Sequence, residues 1–371
     1  MSAIHICIDG MQFYTIFFYP PSPHNQGSYF MKDGKMTTQG NALILGATGG
    51  IGGELARQLS QRGWRINALH RAAASQRARD PRFNWIQGDA MNPSDVIRAA
   101  EGASLIVHAV NPPGYRDWDK LVLPMIDNTI AAARQSGARI VLPGTIYNYG
   151  PDAFPVITES SPQNPFTRKG AIRKEMERRL ASAAEAGVRS LIVRAGDFFG
   201  PQAGNNWFSQ GLVKPGKPVT AIMNPGARGI GHQWAYLPDV AETICRLVAM
   251  DASLDAFAMF HMKGHRDEDG TRMVDAIRRI AEEETGSSAV RIRAMPWWAL
   301  MAISPFVPTL REMKEMRYLW QQPVFLDNRK LLGVLGEEPH TPLEDAVRAT
   351  LTGLRCIGTA AIGDGVTVTA E

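Results

Sequence analysis

Cysteine is scarce in this chain. Cys7, Cys245 and Cys356 are the three in 371 residues, too far apart to match a metal or redox motif. That excludes a disulfide-stapled scaffold and fits a reducing, cytoplasmic setting. Net charge is also small: 40 Lys and Arg stand against 36 Asp and Glu, a formal +4. The arginines are dispersed along helical stretches, which excludes a basic patch for nucleic acid. Long apolar runs are missing too. Met11–Tyr19 is apolar and aromatic, but it is too short to span a bilayer and has no basic flank, so neither a membrane partner nor a signal peptide is expected. Neither a metal-ligand cluster nor an internal repeat is visible. Composition is that of an ordinary globular protein, 44% hydrophobic and 20% charged.

What is present is a glycine loop in a telling place. Ala42 to Leu45 has the length and apolarity of a buried parallel strand. Gly46, Gly49 and Gly52 follow at three-residue spacing, with Thr48, Gly50 and Ile51 between them. Leu55 and Leu59 then fall one helical turn apart, and Gly63 is placed to end that helix. In such a strand–turn–helix unit, Gly46 allows the tight turn, Gly49 lets backbone approach a pyrophosphate, and Gly52 permits close packing of helix on strand. Phosphate binds there because the first N–H groups of a helix lack internal partners and its dipole is positive at that end.

Strand and helix patterns alternate onward. Strands are predicted at 64–69, 83–87, 105–110, 139–142 and 190–194. Helices are predicted over 93–102, over 117–136 with a kink or interruption near Pro124, and over 168–186. A helix at 238–250 and a strand at 257–262 return the chain to the sheet. The expected fold class is α/β: a doubly wound parallel (Rossmann) sheet with a smaller, mainly helical C-terminal substrate lobe. Residues 39–200 plus 233–262 are assigned to the Rossmann domain, and 201–232 plus 263–355 to the lobe. An unstructured, dispensable N-terminal extension is expected over 1–38 and a flexible tail over 356–371. Trp297-Trp298 is expected to pack inside the lobe.

The glycine loop, Gly88-Asp89, Tyr149-Gly150, Arg194-Ala-Gly-Asp197-Phe-Phe-Gly200-Pro201 and Tyr236-Leu-Pro-Asp239-Val-Ala together resemble the extended short-chain dehydrogenase/reductases, specifically the NAD-dependent epimerase/dehydratase group. So do Leu331-Leu-Gly-Val-Leu-Gly336 and Thr341-Pro-Leu-Glu-Asp-Ala, so that the resemblance covers nearly all of 40–355. By that resemblance Asp89 and Ala90 line an adenine pocket, Ala109 to Asn111 run beside ribose and nicotinamide, and Thr145 holds the place of a catalytic Ser or Thr. It also implies a homodimer built on the helices 117–136 and 168–186.

Two departures matter. Strand two ends in His70-Arg71, without the carboxylate that accepts a ribose 2′-hydroxyl in NAD-selective sites. A guanidinium there suits a 2′-phosphate, so NADP is the first choice of cofactor and NAD the second. The second departure is the missing Tyr-x-x-x-Lys pair. In one register Phe166 replaces the tyrosine and Gly170 the lysine, and phenylalanine has no proton to give. Tyr149 or Tyr147, Lys169 acting alone, or Asp197 as an acid or substrate ligand are the alternatives; each also has a purely structural role open to it. Tyr115 and Asn206 are candidate substrate contacts on loops at the sheet's carboxyl edge. The expected activity is NAD(P)-dependent oxidoreduction, or epimerase/dehydratase-like chemistry, on a small carbonyl or hydroxyl compound, sugar-like among the possibilities. The competing expectation is a catalytically silent NADP(H) sensor.

Overall fold

The computed structural model describes residues 2–7, 13–18, 39–112, 117–204, 206–286, 290–304 and 314–358. β1 (Ser2–Cys7) and β2 (Phe13–Phe18) form an antiparallel pair of their own. This corrects the expected lack of order for those two segments, whose Ile4, Ile6, Tyr14 and Ile16 are types that favour extended backbone. The rest of 1–38 lies outside the described residues.

The main unit runs β3 (Gly40–Leu45), α1 (Gly50–Gln61), β4 (Trp64–His70), α2 (Ala73–Arg79), β5 (Asn84–Gln87), α3 (Pro93–Ala99), β6 (Leu105–His108), α4 (Trp118–Ser136) and β7 (Arg139–Gly144). β8 (Val156–Ile157), α5 (Arg168–Glu185), β9 (Ser190–Arg194), β10 (Asp197–Phe199), β11 (Ala221–Asn224), β12 (His232–Tyr236), α6 (Leu237–Ala249) and β13 (Phe257–His261) follow. Last come β14 (His265–Asp267), α7 (Arg272–Thr285), β15 (Arg291–Ala294), α8 (Trp297–Ile303), β16 (Phe325–Leu326) and the helices Arg329–Leu335 and Leu343–Gly353.

Seven parallel strands form the central sheet in the order β5-β4-β3-β6-β7-β9-β13. The chain builds outward from β3 in one direction and then, from β6, in the other. The gap between the carboxyl ends of β3 and β6 is therefore the topological switch point, where ligands bind in such sheets. α1 and α6 cover one face with Leu55, Leu59, Val240 and Ile244; α3, α4 and α5 cover the other with Val96, Ile126, Ile130 and Leu180. Local chemistry sets several ends. The Asn92 side chain accepts from the Ser94 N–H at 3.0 Å with Pro93 next in the chain, and the Thr167 hydroxyl accepts from the Gly170 N–H at 3.1 Å to open α5. α4 runs through Pro124 without interruption. One lost backbone bond is outweighed there by the buried face of Val122, Met125, Ile126, Thr129 and Ile130.

The smaller lobe holds the three-stranded sheet β10-β12-β14 and the pair β11-β15. Its core joins Phe199, Phe208, Ile222, Trp234, Ile277 and Leu351. The two cores share side chains across the expected boundaries. Phe199, Trp234 and Tyr236 pack into the lobe, whereas Leu331 packs into the main core. Cys356 and Ile357 are buried in the lobe, because their apolar side chains complete its core, so order continues past residue 355. Trp297 donates its indole N–H to the Pro225 carbonyl at 2.8 Å, but Trp298 is 80% exposed. Among the described residues no helix is long and apolar enough to cross a membrane.

Candidate functional site

The glycine loop lies at the switch point. Gly46 has φ +94°, and a Cβ there would stand 2.5 Å from the Ala109 carbonyl oxygen; a Cβ on Gly52 would stand 2.2 Å from the Gly46 carbonyl oxygen. Strand, loop and helix are thus in backbone contact, which is the packing the spacing predicts. The Gly49 N–H donates to Gly46 O at 2.9 Å. As N-cap of α1, Gly49 offers no side chain to its first N–H groups, and no acidic residue lies in the first turn. Those donors are left for an anion.

A cleft of about 710 Å³ starts at this loop, where Gly46, Thr48, Gly49, Gly50 and Ile51 line it. Gly52 acts from beneath, through packing. His70, Arg71, Asp89 and Ala90 line the end beside β4 and β5, and Ala109 and Asn111 line the floor past β6. Arg71 is exposed, and its backbone is held by the Gln87 amide, which donates to Arg71 O at 2.5 Å. Asp89 is taken up locally: its Oδ1 accepts from the Met91 N–H and its own N–H donates to Asp95 Oδ2, both at 3.0 Å. No carboxylate stands at the end of β4.

At the other end Thr145, Tyr147, Lys169, Arg173 and Asp197 line the cleft together. Lys169 and Arg173 are four residues apart on α5 and so share one face. Lys169 Nζ is 5.8 Å, and the Arg173 guanidinium carbon 5.2 Å, from the centre of the Trp118 ring. Burial pushes the Tyr147 phenol above its ordinary pKa; the charge of Arg173 and the nearby Thr145 hydroxyl pull it back, and the charge of Asp197 raises it. Tyr147 is therefore a protonated phenol at neutral pH with a cation close by. Asp197 Oδ2 is 2.8 Å from His232 Nε2.

The 3₁₀ turn Ile146–Asn148 decides which tyrosine faces the cleft. Arg194, fully buried, donates to the Thr145 carbonyl and makes two bonds of 2.9 and 2.8 Å to the Glu177 carboxylate. Asn148 Nδ2 donates to the same carboxylate at 2.8 Å. Held on both sides, the turn puts Tyr147 in the cleft lining and sends Tyr149 into the protein. Tyr149 is 0% exposed, its hydroxyl is 3.3 Å from His261 Nε2, and Arg194 lies over its ring. Tyr149 is thus corrected from candidate acid to packing residue.

The register of the missing pair is explained as well. Phe166 is 62% exposed against Tyr318, and a Cβ on Gly170 would stand 2.2 Å from the Tyr147 carbonyl oxygen. No lysine fits at 170. Asn206 lines the cleft but spends its amide on Ala203 O and its oxygen on the Ser209 N–H, as a cap. Tyr115 lies outside the described residues. Trp207, which adjoins the pocket candidate Asn206 in sequence, lines the cleft too. Arg173, Gln210 and Met316 are lining residues that the sequence does not single out, and of these only Arg173 carries a legible signal, its helical spacing from Lys169.

Two buried imidazoles flank this region. The Thr129 hydroxyl donates to Met125 O at 3.0 Å, so His108 Nδ1–H donates to Thr129 Oγ1 at 2.8 Å. Burial lowers the pKa of both His108 and His261 to about 3, with the charges of Arg173 and Arg194 respectively adding to it. The unfolded chain binds those two protons near pH 6.5 and the folded protein does not. Their stabilisation is therefore full above pH 6.5 and lost on acidification towards pH 3. Between pH 6.5, where the unfolded rings are already half protonated, and pH 5, these two imidazoles alone are expected to contribute a difference of roughly 3 kcal/mol in denaturant titrations, the slope approaching about 1.4 kcal/mol per unit per imidazole below pH 6. Equal stability at the two pH values would mean that these rings are protonated in the fold.

Comparison with known proteins agrees with this architecture. The family profile described as NAD dependent epimerase/dehydratase matches residues 42–260. A 3-diazoavenalumate denitrifying reductase of a Streptomyces species is 29% identical over 180 residues, 44% of this chain and 57% of that protein. An aspartate-semialdehyde dehydrogenase of Prochlorococcus marinus is 30% identical over 134 residues, 35% of this chain and 34% of that one. The chain thus spans between a third and just over half the length of these relatives. Among solved structures, the UDP-glucuronic acid 4-epimerase of Bacillus cereus in complex with NAD superposes with a TM-score of 0.64 over 85% of this chain and 96% of the other, at 16% identity. At that identity the likeness is one of fold.

Proposed function

The chain belongs to the NAD dependent epimerase/dehydratase family, and from that premise we propose that it is an NADP(H)-dependent oxidoreductase in which Tyr147 exchanges the proton. Its substrate is a small carbonyl or hydroxyl compound. The observation that carries this reading is the single cleft joining the glycine loop to Tyr147, Lys169, Arg173 and Asp197. When bound, the nicotinamide supplies hydride chemistry. The residues supply the rest. The bare N–H groups at the start of α1 fit a pyrophosphate, and Arg71 fits a 2′-phosphate as a charge-assisted fork. Tyr147 stays protonated until a carbonyl oxygen gains negative charge, and Arg173 stabilises the phenolate left behind. Lys169 and Arg173 together take the place of the single family lysine. The acceptor oxygens of Asp197 suit the hydroxyl groups of a sugar-like substrate. A cytoplasmic setting and a homodimer through α4 and α5 belong to the same proposal.

Arg71 gives the most direct test of cofactor choice. Arg71→Asp should weaken NADP+ binding at least tenfold and leave NAD+ binding equal or improved, measured by calorimetry. Unchanged preference would remove Arg71 from the site. The vacant Phe166–Gly170 register favours the second reading, a sensor that binds NADP(H) without turnover. An NADPH-oxidation screen over carbonyl compounds separates the two, since a sensor binds and oxidises nothing.

A further inference from the structure

We infer that Asp239, His265 and His340 form a binding site for one divalent metal ion of the zinc class, separate from the cofactor cleft. One ligand atom from each lies within 4.8 Å of the others, and the two imidazole rings are 4.5 Å apart, centre to centre. The three residues come from the first turn of α6, from β14, and from the segment leading into helix Leu343–Gly353. No short-range spacing announces such a set, because its members are far apart in sequence.

A second observation points to a ligand. His265 is 7% exposed, yet its Nε2 is buried without a hydrogen-bond partner, and buried polar atoms are rarely left so. An imidazole nitrogen with no partner has a lone pair to give to a cation. Asp239 is a partly buried carboxylate. Among the described residues its partners are the Thr341 N–H and hydroxyl, each at 2.7 Å, and no lysine or arginine pairs with it. An ionised carboxylate has about four acceptor positions, so two neutral donors leave room for a cation. The Thr341 bonds also fix the carboxylate's orientation, as outer-shell partners do at metal centres.

Two imidazoles and one carboxylate select a borderline cation such as zinc over calcium or magnesium, which prefer all-oxygen sets. Three protein ligands leave a position for water or an added ligand. His265 and His340 also line a separate cavity of about 440 Å³, from which an ion can enter. Bound there, the ion would tie the C-terminal segment to β14 and α6.

The test uses the full chain, stripped with a chelator and titrated with zinc chloride. The expected result is one zinc per chain at micromolar affinity or better, with anomalous scattering from a crystal placing it between the two rings. His340 is exposed, so His340→Ala should fold normally, lose at least tenfold in zinc affinity, and bind NADPH as the parent does. His265→Asn should lose zinc as well. Absence of stoichiometric zinc in the parent, zinc bound elsewhere, or undiminished affinity in folded His340→Ala would each overturn the site. None of these outcomes bears on the dinucleotide cleft.

Discussion

Gly52→Ala is expected to cripple dinucleotide binding while adding only a methyl group. The new Cβ would lie 2.2 Å from the Gly46 carbonyl oxygen, 2.8 Å from its carbon and 3.1 Å from the Ala109 Cβ. Two of these atoms belong to backbone, so no rotamer change relieves the contact. The loop must move away from α1 or the helix must lift off the sheet. Overpacking of this kind costs about 1–3 kcal/mol, and the displaced N–H groups no longer converge on one pyrophosphate. NADPH affinity should fall more than tenfold, with a lowered denaturation midpoint. Gly333→Ala is the control. Gly333 lies in helix Arg329–Leu335 with nothing within 4 Å of its would-be Cβ, so it should gain up to about 1 kcal/mol from helix propensity. A Gly52→Ala protein that binds NADPH like the parent would mean the loop is not the phosphate site.

The second large effect concerns the proton. Tyr147→Phe removes one hydroxyl from the cleft and should lower turnover about 10²–10⁴-fold, the usual contribution of a positioned acid. NADPH affinity should change little, because the groups proposed to hold its phosphates are the α1 N–H groups and Arg71 rather than that hydroxyl. Tyr149→Phe should lose far less turnover, since Tyr149 is enclosed by His261 and Arg194 rather than facing the cleft. If Tyr149→Phe abolished turnover and Tyr147→Phe did not, the assignment of the two tyrosines would be reversed.

That distinction marks where the sequence stops being legible. Strands such as Ser190–Arg194 and helices such as α5 follow from apolar period and caps, both local signals. The glycine loop is legible for the same reason, as each glycine answers to a neighbour within one strand–turn–helix unit. In sequence Tyr147 and Tyr149 both follow strand β7, and the Tyr149-Gly150 pair puts Tyr149 first. Which one faces the cleft depends on a 3₁₀ turn, where successive side chains are rotated by about 120°, and on long-range bonds from Arg194 and Glu177 that hold it. Asn206 shows the converse: a polar residue in the right loop whose groups are already spent on capping. Pro124 sits inside α4 because tertiary packing outweighs its local cost. Arg173 was within reach, one turn beyond Lys169 on a helix predicted correctly. Asp239, His265 and His340 were not, since only the fold brings them together.

The most direct measurement is a calorimetric titration of the purified protein with NADP+, NADPH, NAD+ and NADH in turn. A stoichiometry of one per chain, with the phosphorylated pair preferred at least tenfold, is the predicted result if the bare start of α1 takes the pyrophosphate common to all four and Arg71 takes the 2′-phosphate, as proposed. Failure to bind any of the four would contradict the account at its root, leaving a family fold whose cofactor cleft no longer works.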